Sequence, residues 1–218
     1  MAQGAARVST GHAYTVRRSA RARHVRLTVT RDGEAVVVLP MRAPERAAAL
    51  LVEKHGAWLD RQMVRIQAGR ERAAARPSLA LGRHLTVNGE PRLVTASTSQ
   101  ERDRLERSLR REARRLLEAR VAVFGPVLGV QPRRLTVRAQ RARWGSASRN
   151  GSLSLNWRLL LAPPPVLDYV VIHELAHLAE PGHTRRFWEL VRRHAPEADA
   201  ARAWLREHHG ELLAALDD

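Results

Sequence analysis

The sequence predicts an α+β fold in which helices surround a small antiparallel sheet, with a further α+β unit on the N-terminal side. Three observations predict it. Turn dipeptides flanked by alternating apolar residues are typical of β-hairpins and recur at Asp32-Gly33, Asn88-Gly89 and Asn150-Gly151. Stretches with apolar residues at helical spacing lie between these hairpins. Prolines and glycines stand where the helical stretches should end.

Two segments are predicted in the first 98 residues. Residues 1–18 combine basic and small residues and predict a flexible basic arm. Residues 19–98 predict an N-terminal α+β unit that begins with a hairpin around Asp32-Gly33. Pro44 should open a helix, because its fixed φ suits the first helical turn. A linker is expected at 68–78, followed by a second hairpin at Asn88-Gly89.

Residues 99–218 predict a separate domain. A long helix with many arginines begins near Ser99 and should stop at Gly125-Pro126. Strand-like residues around Val137 and a hairpin at Asn150-Gly151 follow. Three prolines at 163–165 precede an apolar helix, and further helices complete the domain.

The apolar helix carries the most specific motif of the chain, His-Glu-Leu-Ala-His at 173–177. Histidines at i and i+4 lie on one helix face, where both imidazoles can bind one zinc ion. Pro181 and Gly182 should end the helix and turn His183 back toward the metal. Three histidine ligands with one open position are typical of catalytic zinc, and Glu174 is placed to act as a general base on a water.

A structural role for the two helix histidines is the competing interpretation. The residues around the motif are apolar on nearly every side, so the helix should be buried. Buried histidines and a buried glutamate need polar partners, and a metal ion provides them. The sequence therefore favours zinc binding by His173, His177 and His183, with Glu174 as the catalytic residue.

Two further residues are candidates for substrate binding. Tyr169 precedes His173 by four residues and should share its helix face, although a core tyrosine is the competing interpretation. Asn156 ends a predicted strand that could line the cleft. The sequence names no residue that would stabilise an oxyanion.

Charge and composition limit the partners and the location. The net charge is +16, and Lys54 is the only lysine among 38 basic residues. Such a surface either is solvated as a product of compositional bias or binds nucleic acid nonspecifically through phosphates. The chain has no cysteine, no visible signal peptide and no apolar run long enough to cross a membrane, so a cytoplasmic protein without membrane contact is expected.

Several motifs occur together along the chain: Arg143-Trp144-Gly145-Ser146, Leu155-Asn156, the run from Asp168 to Leu178, His183 and Phe187-Trp188, with Arg23 to Val29, Asp32-Gly33, Pro40 and Trp58 nearer the N-terminus. In combination they resemble the YgjP-like metal-dependent hydrolases over almost the whole chain. The resemblance implies a zincin-like metallopeptidase domain and, more widely, a relation to the SprT and WLM proteases, which act on DNA-bound proteins. Cysteine commonly follows Trp-Gly-Ser in that family, whereas this chain has Ala147.

Two functions remain open at this point. The first is a zinc-dependent metallopeptidase that hydrolyses peptide bonds in a protein or peptide substrate with a zinc-activated water. The second is a DNA-associated zinc-binding module, or a DNA-dependent protease acting on DNA-bound proteins. Glu174 favours an enzyme, because a protein that only binds zinc does not need a glutamate beside the first ligand.

Overall fold

The chain divides into two units in the computed structural model, which describes residues 7–9, 11–30 and 33–217. The first unit is Met1–Ala74 and the second is Ala75–Asp218. The sequence-based boundary at 98/99 is thus corrected to 74/75. The hairpin pattern at Asn88-Gly89 is local, and it does not reveal which hydrophobic core the hairpin joins.

The first unit contains a four-stranded sheet and two helices. The strands are β1 (Arg7–Ser9), β2 (His12–Ser19), β3 (Arg26–Val29) and β4 (Ala35–Pro40), in the order β1-β2-β4-β3. β2 runs parallel to β4, whereas the β1–β2 and β3–β4 pairs are antiparallel. Alternate β4 residues, among them Val37 and Leu39, join a core with helices α1 (Arg46–Lys54) and α2 (Gly56–Ala74).

The flexible arm predicted for residues 1–18 is corrected by β1 and β2. Tyr14 lies in the core of the first unit, and β2 pairs with β4 from Tyr14 to Ser19. A parallel pairing across 20 residues leaves no local signal in the sequence, which is why the segment appeared unstructured. Residues 1–6 and 10 of the predicted arm lie outside the described residues, as does Asp32 of the predicted turn.

The second unit contains two small sheets and four helices within its described residues. Its elements are β5 (Arg83–Val87), β6 (Glu90–Val94), α3 (Ser99–Val127), β7 (Arg134–Arg138), β8 (Gly145–Ala147), β9 (Ser152–Asn156), α4 (Pro164–Ala179), α5 (Arg185–His194) and α6 (Ala198–Leu213). β5 and β6 form the hairpin predicted at Asn88-Gly89, and their buried residues Leu85, Val87 and Val94 belong to the core of this unit. The predicted α+β class is confirmed.

The three-stranded sheet of the second unit supports α4. Its order is β7-β9-β8, with β8 and β9 antiparallel as the turn at Asn150-Gly151 predicts, and β7 parallel to β9. Leu153 and Leu155 of β9 are fully buried in the core that also contains most of α4. Because β8 pairs with β9 on one side only, its other edge is left to face α4. Among the described residues, no helix has the length and apolar character needed to cross a membrane.

Candidate metal centre

Helix α4 carries three residues of the predicted site on a buried scaffold. Pro163 precedes it and prolines occupy its first turn, where their missing N–H groups cost no hydrogen bond. The helix ends at Ala179, and Gly182 follows with φ +88°, a conformation that favours glycine. His183 therefore leaves the helix and lies on an exposed loop. Thr184 then caps α5 by accepting a hydrogen bond from the Phe187 N–H.

The three predicted ligands converge on one point. One ring nitrogen from each of His173, His177 and His183 lies within 4.8 Å of the others. The Nε2 atoms of His173 and His183 are 3.4 Å apart. Two nitrogens bound tetrahedrally to one zinc at about 2.0–2.1 Å would stand about 3.3–3.4 Å apart. The spacing of this pair therefore fits two corners of a zinc coordination tetrahedron.

The protonation of the imidazoles also suits a metal ion. Burial and, after it, the neighbouring His177 and His183 lower the pKa of His173 to about 4. Burial, followed by the proximity of His183, lowers the pKa of His177 as well. Both rings are therefore neutral at pH 7, as metal ligation requires.

Two aromatic residues of α5 hold the imidazoles in place. Phe187 is fully buried and contacts all three rings, with the His177 ring stacked on it at 4.4 Å between centroids. Trp188 stacks on His183 at 5.7 Å. The sequence shows these aromatics four and five residues after His183, which places them in the first turn of α5, but their contact with the ligands was not predicted.

Tyr169 lies behind His173. Its hydroxyl oxygen is 3.3 Å from His173 Nδ1, and the side chain is buried. With Nε2 directed toward His183, Nδ1 is the ring nitrogen that hydrogen-bonds with the tyrosine hydroxyl. Burial raises the pKa of Tyr169 to about 12, so the hydroxyl stays protonated. The sequence predicted a substrate contact for Tyr169; in the structure its side chain is buried and its hydroxyl lies against the His173 ring.

Glu174 lies beneath the free edge of β8. It is only 8% exposed, and the Ala147 N–H donates a hydrogen bond to its carboxylate. Burial raises the pKa of Glu174 to about 7, although the Ala147 hydrogen bond and the charge of Arg143 oppose the shift. A carboxyl group with a pKa near neutrality can both accept and donate a proton at physiological pH.

Asn156 has a different place from the one predicted. The residue is 1% exposed, and its amide nitrogen donates hydrogen bonds to the carbonyl oxygens of Gln140, at 2.6 Å, and Arg143, at 3.3 Å. Its side-chain oxygen accepts a hydrogen bond from the Arg158 N–H. The predicted substrate contact is therefore corrected: Asn156 fixes the loop that leads into β8, because strand β9 ends inside the core rather than at an open cleft.

Comparison with known proteins gives one family and one solved structure. A family model described as YgjP-like, metallopeptidase domain, matches residues 88–208, a stretch that contains the three histidines and Glu174. The chain is similar to the crystal structure of the metallopeptidase zymogen of Pyrococcus abyssi abylysin, at 26% identity over 43% of this chain and 95% of that chain, with a TM-score of 0.34. No curated protein matches the chain.

Proposed function

Because the chain belongs to the YgjP-like metallopeptidase family, we propose that it is a zinc-dependent peptidase with Glu174 as its general base. Membership of the family establishes a metal-dependent peptidase. We add two proposals to it: that the metal is zinc, and that each residue has the role given below. The observation that carries it is the convergence of His173, His177 and His183 beside a buried glutamate with a raised pKa.

The donor set supports zinc over magnesium or calcium. All three candidate ligands offer imidazole nitrogens, whereas Mg²⁺ and Ca²⁺ take oxygen ligands. Three protein nitrogens with an open position are typical of catalytic zinc, while structural sites are closed by a fourth protein ligand. A zinc ion held there supplies Lewis-acid chemistry by lowering the pKa of a water and polarising the scissile carbonyl.

The chain's own residues account for the proton transfers. Glu174 accepts a proton from the attacking water at a carboxylate oxygen and donates it to the amine that leaves when the peptide C–N bond breaks. The Ala147 N–H orients this carboxylate from one side. Tyr169 orients the His173 ring through Nδ1, and its place in the proposed mechanism is to fix that ligand.

Replacement of Glu174 tests this function. Glu174→Gln keeps the size of the side chain and removes its capacity to accept the proton, so casein cleavage should fall by two orders of magnitude or more. Zinc content, measured by mass spectrometry, should stay at one ion per chain. Glu118→Gln, at a half-exposed glutamate of α3, is the matched control and should cleave at the wild-type rate.

The same cleavage assay, run on the wild type with and without DNA, separates the peptidase from a DNA-associated zinc-binding module. A module without catalysis would show no zinc-dependent cleavage in the wild type, with or without DNA. A DNA-dependent protease would cleave only when DNA is added. The burial of Glu174 favours an enzyme, because desolvating a carboxylate costs free energy that a purely structural site does not need.

A further inference from the structure

The sheet of the first unit has one face away from its helices. Side chains alternate between the two faces of a strand. Buried Val37 and Leu39 of β4 face α1 and α2, as do the residues paired with them on neighbouring strands. The residues that alternate with these face the opposite way. Val38 is on this opposite face, paired with Arg17 of β2 and with Arg26 of β3. The two arginines therefore flank Val38 in one row, two strand spacings or about 10 Å apart.

The topology brings further arginines to the same end of the sheet. β2 and β4 run parallel and finish together, since Ser19 pairs with Pro40, and β3 begins beside that end at Arg26. The connection between β2 and β3 and the turn after β4 both extend from this end. We call this group the arginine end; it consists of Arg17, Arg21, Arg23, Arg26 and Arg42, all of them exposed.

Among the described residues, no carboxylate pairs with the arginine end. Residues 1–31 contain seven arginines and not one aspartate or glutamate. Within the described parts of the chain, none of the five guanidinium groups has an ion pair or hydrogen bond. Compositional bias toward arginine would replace lysines, but it would not remove acidic residues from this segment.

Other arginines of the chain are held differently. Arg18, next to Arg17, donates hydrogen bonds to the carbonyl oxygens of Met41 and Ala43 and so stabilises the turn after β4. On α3, Arg110 and Arg114 pair with glutamates one turn away. The arginine end is thus a cluster of uncompensated charge rather than an average part of the surface.

We propose that the arginine end binds the sugar-phosphate backbone of double-stranded nucleic acid without sequence preference. Guanidinium groups bind phosphate oxygens in pairs of hydrogen bonds, and several of them within reach of one another release condensed counterions from a duplex. Tyr14, the one aromatic residue among the described strands of this unit, is buried on the opposite face, so the surface offers no base-stacking platform. This binding is independent of the peptidase chemistry proposed above.

The test compares two triple variants of the full-length protein that lose the same charge. The first variant removes three members of the arginine end, by Arg21→Gln, Arg23→Gln and Arg26→Gln. The second is the control and removes three exposed arginines of α3, by Arg104→Gln, Arg107→Gln and Arg111→Gln. Binding to a random-sequence DNA duplex is measured by fluorescence anisotropy across a salt series. The first variant should bind at least about tenfold more weakly, and the slope of log K against log salt should fall by roughly 2 to 3. The second should change affinity by less than about twofold, because these three arginines do not belong to the proposed binding surface.

Zinc content and circular dichroism check that both variants fold. The corresponding triple replacement by lysine should restore most of the duplex binding, because it restores the charge. Equal loss of binding in the two glutamine variants would overturn the proposal, and so would a wild type that does not bind duplex at low salt. Binding to phosphatidylserine vesicles in place of duplex would assign the arginine end to a membrane surface and would equally overturn it.

Discussion

Gly145 leaves no room for a side chain above Glu174. A β-carbon built on Gly145 would lie 2.7 Å from Glu174 Oε1, closer than real β-carbons approach other atoms. The edge of β8 and the carboxylate are therefore packed directly against each other, and the Ala147 N–H two residues on completes the contact. The glycine of the Arg143-Trp144-Gly145 segment is explained by this approach, because it carries no left-handed φ.

Replacing Gly145 should therefore disable the proposed general base. Gly145→Ala would push Glu174 out of position, and peptide cleavage should fall by about two orders of magnitude, the usual contribution of a general base. Zinc content should be retained, because the three histidines do not contact Gly145. Gly210→Ala in α6 is the control, since its β-carbon would meet no atom within 4 Å, and it should cleave normally. Wild-type activity in Gly145→Ala would show that Glu174 does not need its present position.

Removing one ligand should release the metal. His177→Ala leaves two imidazoles, too few for a stable zinc site, so zinc content should drop from one ion per chain to a small fraction. His84→Ala is the matched control, because His84 is an exposed residue of β5. Inductively coupled plasma mass spectrometry of the purified proteins gives the answer. Full zinc occupancy in His177→Ala would mean that the site is built from other residues.

The hydroxyl of Tyr169 should contribute to metal affinity. Tyr169→Phe keeps the buried ring but removes the oxygen 3.3 Å from His173 Nδ1. Loss of a partner behind a metal-bound histidine typically lowers metal affinity by about 10- to 100-fold. Competition with a chromophoric chelator measures the zinc Kd, and Tyr14→Phe in the first unit serves as the control. An unchanged Kd with a lowered melting temperature would assign Tyr169 to the hydrophobic core alone.

The raised pKa of Glu174 makes the stability of the metal-free protein depend on pH. The folded state binds this proton more tightly than the unfolded state, whose pKa lies near 4.5, while burial raises the folded value to about 7. The resulting stabilisation is largely present at pH 5 and is lost as the pH rises through about 7. Glu174→Gln has no such loss. Its free energy of unfolding relative to the wild type should therefore increase between pH 5 and pH 8, by roughly 2–3 kcal/mol at most.

Urea unfolding of both metal-free proteins at the two pH values measures this difference. The lowered pKa of His173 acts in the opposite direction, because its stabilisation is lost as the pH falls from about 6.5 through about 4. His173 is present in both proteins, so its effect is removed by the comparison. A difference between the variants that is the same at pH 5 and pH 8 would contradict the raised pKa of Glu174.

The sequence predicted those parts of the site that depend on the spacing or type of neighbouring residues. Histidines at i and i+4 must share a helix face, and Pro181 with Gly182 must interrupt the helix before His183. The pairing of β8 with β9 likewise follows from the turn at Asn150-Gly151. These features depend on a few neighbouring residues, so the sequence contains all the information that they need.

The remaining features depend on contacts between distant segments. Asn156 is polar and ends a strand, which is equally compatible with a cleft and with a buried loop anchor until the 140–143 segment is seen folded over it. Tyr169 shares a face with His173 in either role, and helical spacing does not reveal which ring nitrogen its hydroxyl meets. The parallel pairings of β2 with β4 and of β7 with β9 also join strands that are separated in the chain by another strand, so no single turn predicts them.

The loop that carries His183 links the metal centre to the first turn of α5. His183 is followed at once by Thr184, whose hydroxyl oxygen holds the Phe187 N–H at 3.3 Å. An ion that restrains His183 also stabilises the capping hydrogen bond of Thr184. By thermodynamic reciprocity, a more stable cap increases the affinity for the ion by the same free energy. Amide hydrogen exchange at Phe187 would then slow when the ion is bound and quicken when it leaves. The backbone at the start of α5 would thus report whether the metal ion is bound.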